Sequence, residues 1–194
     1  MTALTAYQNI CVIDDGLTGD EHAKLLGLLS GAVWRYGWPY PYSPLERPCW
    51  HSFIAGTQRN ELEDCEPELR SRPDWAFLAD FWARIKAVHM PEATLLGVYA
   101  NGQTSGQDGP IHRDNTAEEP GRTVMLFCSE HWATCWGGEL MFYGDDKETI
   151  LRAVQPKPRR VVVFDGEIPH GARAPATSCN RLRMSVAFKT LIKE

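Results

Sequence analysis

At 194 residues and 43% hydrophobic composition, the chain can bury one good core and requires no second domain. Its formal net charge of −5 and lack of a basic run leave no electrostatic footprint for nucleic acid. No run reaches the ~20 apolar residues of a membrane helix. No N-terminal apolar stretch reads as a secretory leader, and six scattered cysteines without a C-x-x-C pair read as reduced thiols of a cytoplasmic protein.

The segment "NICVIDDGLTGDEHAKLLGLLSG" predicts a short strand, a turn and a helix. Thr18 and Glu21 form a capping box, Leu25, Leu26, Leu28 and Leu29 give an apolar face, and Gly31 can end the helix. The next stretch, "VWRYGWPYPYSPLERPCWHSF", mixes Trp34, Tyr36, Trp38, Tyr40, Tyr42 and Trp50 with four prolines. Prolines resist regular structure and aromatics resist exposure, so it should fold over the core as a loop or form hairpin edges. As a lid it would put Trp38 and Tyr40 against a substrate; as a plug it would only close one end. "GTQRNELEDCEPELRSRPD" reads as a charged connector. From about Pro73 to Val88, Phe77, Leu78, Phe81, Trp82, Ile85 and Val88 recur at helical spacing and predict a helix packed on a sheet.

The remaining elements are strands and turns. Arg122 lies in "EEPGRT", a turn before a strand, from which it could reach a substrate, although such an arginine is more often solvated. "WGGEL" predicts a tight turn entering a strand, and "RVVVF" a strand ending in a Gly and Pro turn. In "RLRMSVAF", a last strand opening at Arg181, alternation puts Arg181, Arg183 and Ser185 on one face and Leu182, Met184 and Val186 on the other.

The chemistry concentrates in "GPIHRDN" and "EIPHGA". Side chains two apart on extended backbone point the same way, so His112 and Asp114 can grip one ion if a strand ends there, with Arg113 pointing away. His170, following "RVVVF", would arrive on another strand. Two imidazoles and one carboxylate give three ligands on one face of an octahedral metal and leave the other positions open, the pattern of non-haem Fe(II). His22, His51, His89 and His131, in a helix, an aromatic loop, a helix end and a turn, lack ligand spacing. Glu139 and Asp165 have no histidine two residues away. A buried guanidinium on the last strand needs an anion.

On "YANG", "HRDN", "HWATCWGGELMFY", "VQPKPRRVVVFDG", "PHGARAP" and "NRLRMSVAFK", running from Tyr99 to Lys189, the chain resembles the Fe(II) and 2-oxoglutarate-dependent dioxygenases, in their prolyl 4-hydroxylase-like branch. The resemblance implies a mainly β (α+β) fold, a double-stranded β-helix or jelly-roll barrel supported by N-terminal helices. We expect one domain over residues 1–194, with helical support over about 1–92 and the barrel over about 93–190. By position, His112, Asp114 and His170 match the iron ligands. Arg181 matches the basic residue that pairs with the distal carboxylate of 2-oxoglutarate, with Arg183, of the same facing, second in line. Tyr99 matches a tyrosine of that pocket, or is a core aromatic. Where relatives often place another tyrosine, this chain has Leu126 and Phe127. The implied reaction consumes 2-oxoglutarate and O2, with ascorbate as a stimulatory reductant, and releases succinate and CO2. With Asp114 at the carboxylate position no ligand site is left for chloride, so hydroxylation is expected rather than halogenation; desaturation and ring formation stay open.

Three readings of function follow. A small-molecule hydroxylase acting on an amino acid or biosynthetic intermediate suits the compact chain. A peptidyl or prolyl-type protein hydroxylase suits the resemblance. A non-catalytic jelly-roll protein that keeps the metal as a structural site stands third, against a complete triad.

Overall fold

The computed structural model describes residues 9–37, 49–56 and 63–192. Two antiparallel sheets carry the fold. In chain order the strands are β1 (Ile10–Ile13), β2 (Arg35–Tyr36), β3 (Trp50–Ala55), β4 (Ala93–Gln103), β5 (Arg122–Phe127), β6 (Leu140–Tyr143), β7 (Ile150–Val154), β8 (Val161–Asp165), β9 (His170–Ala172) and β10 (Arg183–Ile192). The helices are α1 (Gly19–Ser30), α2 (Glu66–Ser71) and α3 (Ala76–His89). The major sheet runs β1-β8-β5-β10-β4-β3-β2 and the minor one β7-β6-β9.

Alternation along the strands builds two cores. Facing the minor sheet, Met125, Phe127, Val162, Phe164 and Ala187 pack with Leu140, Phe142 and Val154. These two sheets are the walls of the expected double-stranded β-helix. On the outer face of the major sheet, Val98, Ala100, Val124, Leu126, Val186 and Phe188 take the apolar stripes of α1 and α3. Phe81 and Trp82 both pack on Phe188, with ring centroids 5.4 and 6.2 Å away. Each such buried aromatic contributes about 1.5–3 kcal/mol. Trp82 also donates its indole N–H to Glu66 at 3.2 Å, satisfying its one polar atom.

The expected capping box at α1 is present: Glu21 N–H donates to Thr18 Oγ1 at 3.2 Å and Thr18 N–H to Glu21 Oε2 at 2.9 Å. Elsewhere the chain departs from its pattern. The charged connector contains α2, whose acidic first turn and Pro67 suit a helix start. Val88 is exposed although it shares the α3 periodicity. His51 lies in β3 rather than a loop, and β2 pairs with β3 as a hairpin edge. Trp38 and Tyr40 lie outside the described residues. The last strand opens at Arg183, not Arg181. The N-terminal half supplies β1, β2 and β3 to the major sheet, so it contributes more than helical support. All six cysteines are free thiols, and no helix among the described residues is long and apolar enough to cross a membrane.

Candidate metal centre

His170 opens β9 opposite Phe142 of β6, at the end of the turn that follows β8. His112 does not lie on a strand; it forms an isolated bridge to His170, with both backbone N–H···O bonds 2.9 Å long. The loop is then pinned where Asp114 and Asn115 donate their N–H groups to Gly166 O at 2.8 and 3.2 Å. Asn115 Nδ2 donates to Thr190 O at 3.1 Å. Arg113 points away, as alternation requires, and meets Asp145 at 3.0 Å.

Each imidazole spends Nδ1 on a backbone carbonyl: His112 on Pro110 O at 2.9 Å, His170 on Ile168 O at 2.8 Å. That places the proton on Nδ1 and leaves Nε2 of both rings with a lone pair aimed inward. Nε2 of His112 lies 3.3 Å from Asp114 Oδ1, and Nε2 of His170 lies 3.3 Å from Asp114 Oδ2. All three ligand atoms fall within 4.8 Å of one another. Burial alone would raise the Asp114 pKa, but the charge of Lys189 holds it well below the ordinary carboxylate value. Burial lowers that of His170. An anionic carboxylate between two neutral imidazoles is a donor set for a divalent ion.

A second polar site lies further along the same inner wall. Arg183 is fully buried, donating Nε to Gly138 O at 2.6 Å and Nη1 to Gln103 Oε1 at 2.9 Å, with its guanidinium 5.2 Å from the centre of the Phe127 ring. Burial pushes its pKa down to about 10. Its Nη2 has no partner, and neither does the buried hydroxyl of Ser185, two residues on along the same face. Arg181, expected to pair with an anion, lies before the strand and is exposed, whereas Arg183, its neighbour on the same alternation, is buried. Tyr99 faces the inner core from β4, edge-on to Phe53 at 6.3 Å. Arg122 is committed elsewhere: Nε to Asp165 at 2.8 Å and Nη1 to His89 O at 3.0 Å, which ties β5 to β8 and the end of α3 and gives it the duties of a structural residue.

The sequence matches the 2OG-Fe(II) oxygenase superfamily over residues 96–189, a span that holds the three clustered ligands, Tyr99 and Arg183. The chain belongs to that superfamily. No curated protein is similar enough in sequence to match. Among solved structures, the oxygenase is similar to a prolyl hydroxylase from Trichoplax adhaerens in complex with a peptide of hypoxia inducible factor. Identity is 13% and the TM-score 0.69, over 98% of this chain and 89% of that one. A Pseudomonas putida prolyl-4-hydroxylase is 15% identical with a TM-score of 0.62, covering all of both chains. HygX from Streptomyces hygroscopicus, solved with nickel, 2-oxoglutarate and hygromycin B bound, is 14% identical with a TM-score of 0.65 over 98% and 87%. At these identities the likeness is one of fold.

Fe(II) and 2-oxoglutarate are the metal and cosubstrate that the family and this donor set imply. The oxygenase's residues fit both, since three inward lone pairs suit the ion and an orphaned buried guanidinium suits a carboxylate. Motif reasoning missed the residues that hold Asp114. Thr123 Oγ1 donates to Asp114 Oδ2 at 2.5 Å, and Lys189 Nζ contacts the same oxygen. Alternation puts Lys189 on the face of Arg183 and Ser185, but only the register sets it opposite Thr123.

Proposed function

We propose that this oxygenase hydroxylates an unactivated C–H bond of a small molecule, an amino acid or biosynthetic intermediate, and turns 2-oxoglutarate into succinate and CO2. The observation that carries the cosubstrate assignment is the buried Arg183, whose Nη2 lacks a partner beside the equally unpartnered Ser185 hydroxyl. A buried cation with a free donor calls for an anion, and the distal carboxylate of 2-oxoglutarate supplies one when the keto acid lies between Arg183 and the triad.

When bound, the metal and cosubstrate supply the oxidising power for C–H cleavage. The chain's own work is positional. His112, Asp114 and His170 would hold the ion, Arg183 and Ser185 would fix the far end of the cosubstrate, and Tyr99 with Phe127 would line the space between. The apolar wall of Met125, Phe142 and Phe164 keeps water from the reacting atoms.

The small-molecule reading is supported by HygX, a similar fold solved with hygromycin B. A peptidyl substrate is the second reading, supported by the peptide bound to the Trichoplax adhaerens structure. The deciding assay measures succinate formed with Fe(II) and 2-oxoglutarate, first alone, then with pools of amino acids and small metabolites, then with proline-containing peptides. Stimulation by a small-molecule pool supports the proposal. Stimulation by peptides alone moves the substrate class to the second reading, and no succinate above a His170→Ala control refutes the activity.

A further inference from the structure

The two oxygens of Asp114 stand in unlike surroundings. Oδ2 receives the Thr123 hydroxyl at 2.5 Å and the Lys189 ammonium, from positions that face each other across β5 and β10. Oδ1 meets no hydroxyl or ammonium among the described residues, while each oxygen faces one imidazole Nε2 at 3.3 Å, Oδ1 that of His112 and Oδ2 that of His170. The Asp114 side chain is 3% exposed and that of Lys189 22%, so the contact is a largely desolvated charge pair rather than a surface one. A carboxylate with both oxygens free binds a hard cation through one oxygen or two. In an octahedral site with three protein ligands, a second oxygen would take one of the three positions that a bidentate cosubstrate and dioxygen must share.

We propose that Lys189, together with Thr123, is a positioning residue that occupies Asp114 Oδ2, so that Asp114 offers the metal one oxygen and leaves room for cosubstrate chelation. The proposal rests on the iron-site reading above. It differs from a role in which Lys189 only neutralises a buried carboxylate: neutralisation affects the stability of the metal-free protein, whereas denticity affects what the loaded metal can still bind.

The test uses Co(II), whose visible absorption reports coordination number, and titrates 2-oxoglutarate into the Co(II)-loaded protein by calorimetry. Lys189→Met is expected to retain Co(II), to show an altered visible spectrum, and to bind 2-oxoglutarate about tenfold more weakly, the lower end of what outer-shell partners of metal ligands contribute. Thr123→Val, with the ammonium still in place, should shift both readouts in the same direction, which keeps the test open if Lys189→Met fails to fold. Lys189→Arg, which keeps a cationic donor, should restore both. Wild-type spectra and 2-oxoglutarate affinity in both Lys189→Met and Thr123→Val would overturn the proposal. So would loss of Co(II) itself from Lys189→Met, which would make the lysine a prop for the site as a whole. A His170→Ala arm separates the two levels: if it binds Co(II) like the wild type, the iron-site reading fails rather than the role of Lys189.

Discussion

Replacing Arg183 by methionine keeps most of the buried stem and removes the charge. In the ligand-free protein the substitution strands Gln103 Oε1 and Gly138 O, the acceptors of Nη1 and Nε, but also removes a buried cation with an unpaired Nη2. These effects oppose one another, so the ligand-free variant should fold with a modest change in midpoint. With cosubstrate the balance tips one way. A hydrogen bond to a charged group contributes about 1.5–3 kcal/mol, so the dissociation constant for 2-oxoglutarate should rise roughly 10- to 150-fold. At a concentration about 100 times its dissociation constant, 2-oxoglutarate stabilises the wild type by about 2.7 kcal/mol. At roughly 2–4 °C per kcal/mol for a chain of this size, that is a rise of about 5–11 °C in midpoint. In Arg183→Met, weakened about a hundredfold, the same concentration yields only about 0.4 kcal/mol, a rise of about 1–2 °C. The assay is thermal unfolding of Ni(II)-loaded protein with and without 2-oxoglutarate, with Arg181→Ala alongside. An undiminished shift in Arg183→Met, or a lost shift in Arg181→Ala, would refute the assignment and return the role to the exposed arginine.

His170→Ala removes one ligand of three and should weaken Co(II) binding more than about a hundredfold, beyond what outer-shell losses cost; visible titration reads it, and an unchanged affinity contradicts the triad. Burial lowers the pKa of His22, His51, His89 and His170, so each binds its proton more weakly in the folded chain. As pH falls below about 6.5 the unfolded state takes up protons first, and the unfolding midpoint measured in chelator should drop between pH 7.5 and 5.5; a flat or rising midpoint excludes that linkage. A Cβ at Gly121 would lie 2.2 Å from Thr190 O and 2.6 Å from Asn115 Nδ2, so Gly121→Ala should cost about 1–3 kcal/mol. Calorimetry should show a lowered midpoint, and a neutral result would mean that β10 yields there.

The cluster of His112, Asp114 and His170 was legible because its chemistry is compressed into H-x-D and one distal histidine, residue types that few other needs place together. Period-two alternation also put Arg183 and Ser185 on one face, and the capping box set the start of α1. What was not legible was where alternation begins to count. Arg181 and Arg183 are equivalent to a pattern of period two, and only the onset of pairing between β10 and β4, at Arg183 opposite Gln103, buries one and exposes the other. α2 was hidden because a six-residue helix is too short to show a periodic stripe. The His112 segment looked like a strand end because its single bridge to His170 leaves no alternating run. Lys189 and Thr123 are ordinary strand residues until the register sets them opposite each other.

The position of β10 at the centre of the major sheet has a consequence for how this molecule comes into being. All three metal ligands have been synthesised by His170, but β4 and β5 are not joined until β10 lies between them. A nascent chain therefore carries His112, Asp114 and His170 before it has either Arg183 or Lys189. Chains that end before Arg183 would keep the H-x-D motif and the distal histidine yet present two open strand edges, a template for association with other chains. For this oxygenase, a chain that stops short of Arg183 keeps its motifs without β10 between β4 and β5, and that strand decides whether a ligand set becomes a site.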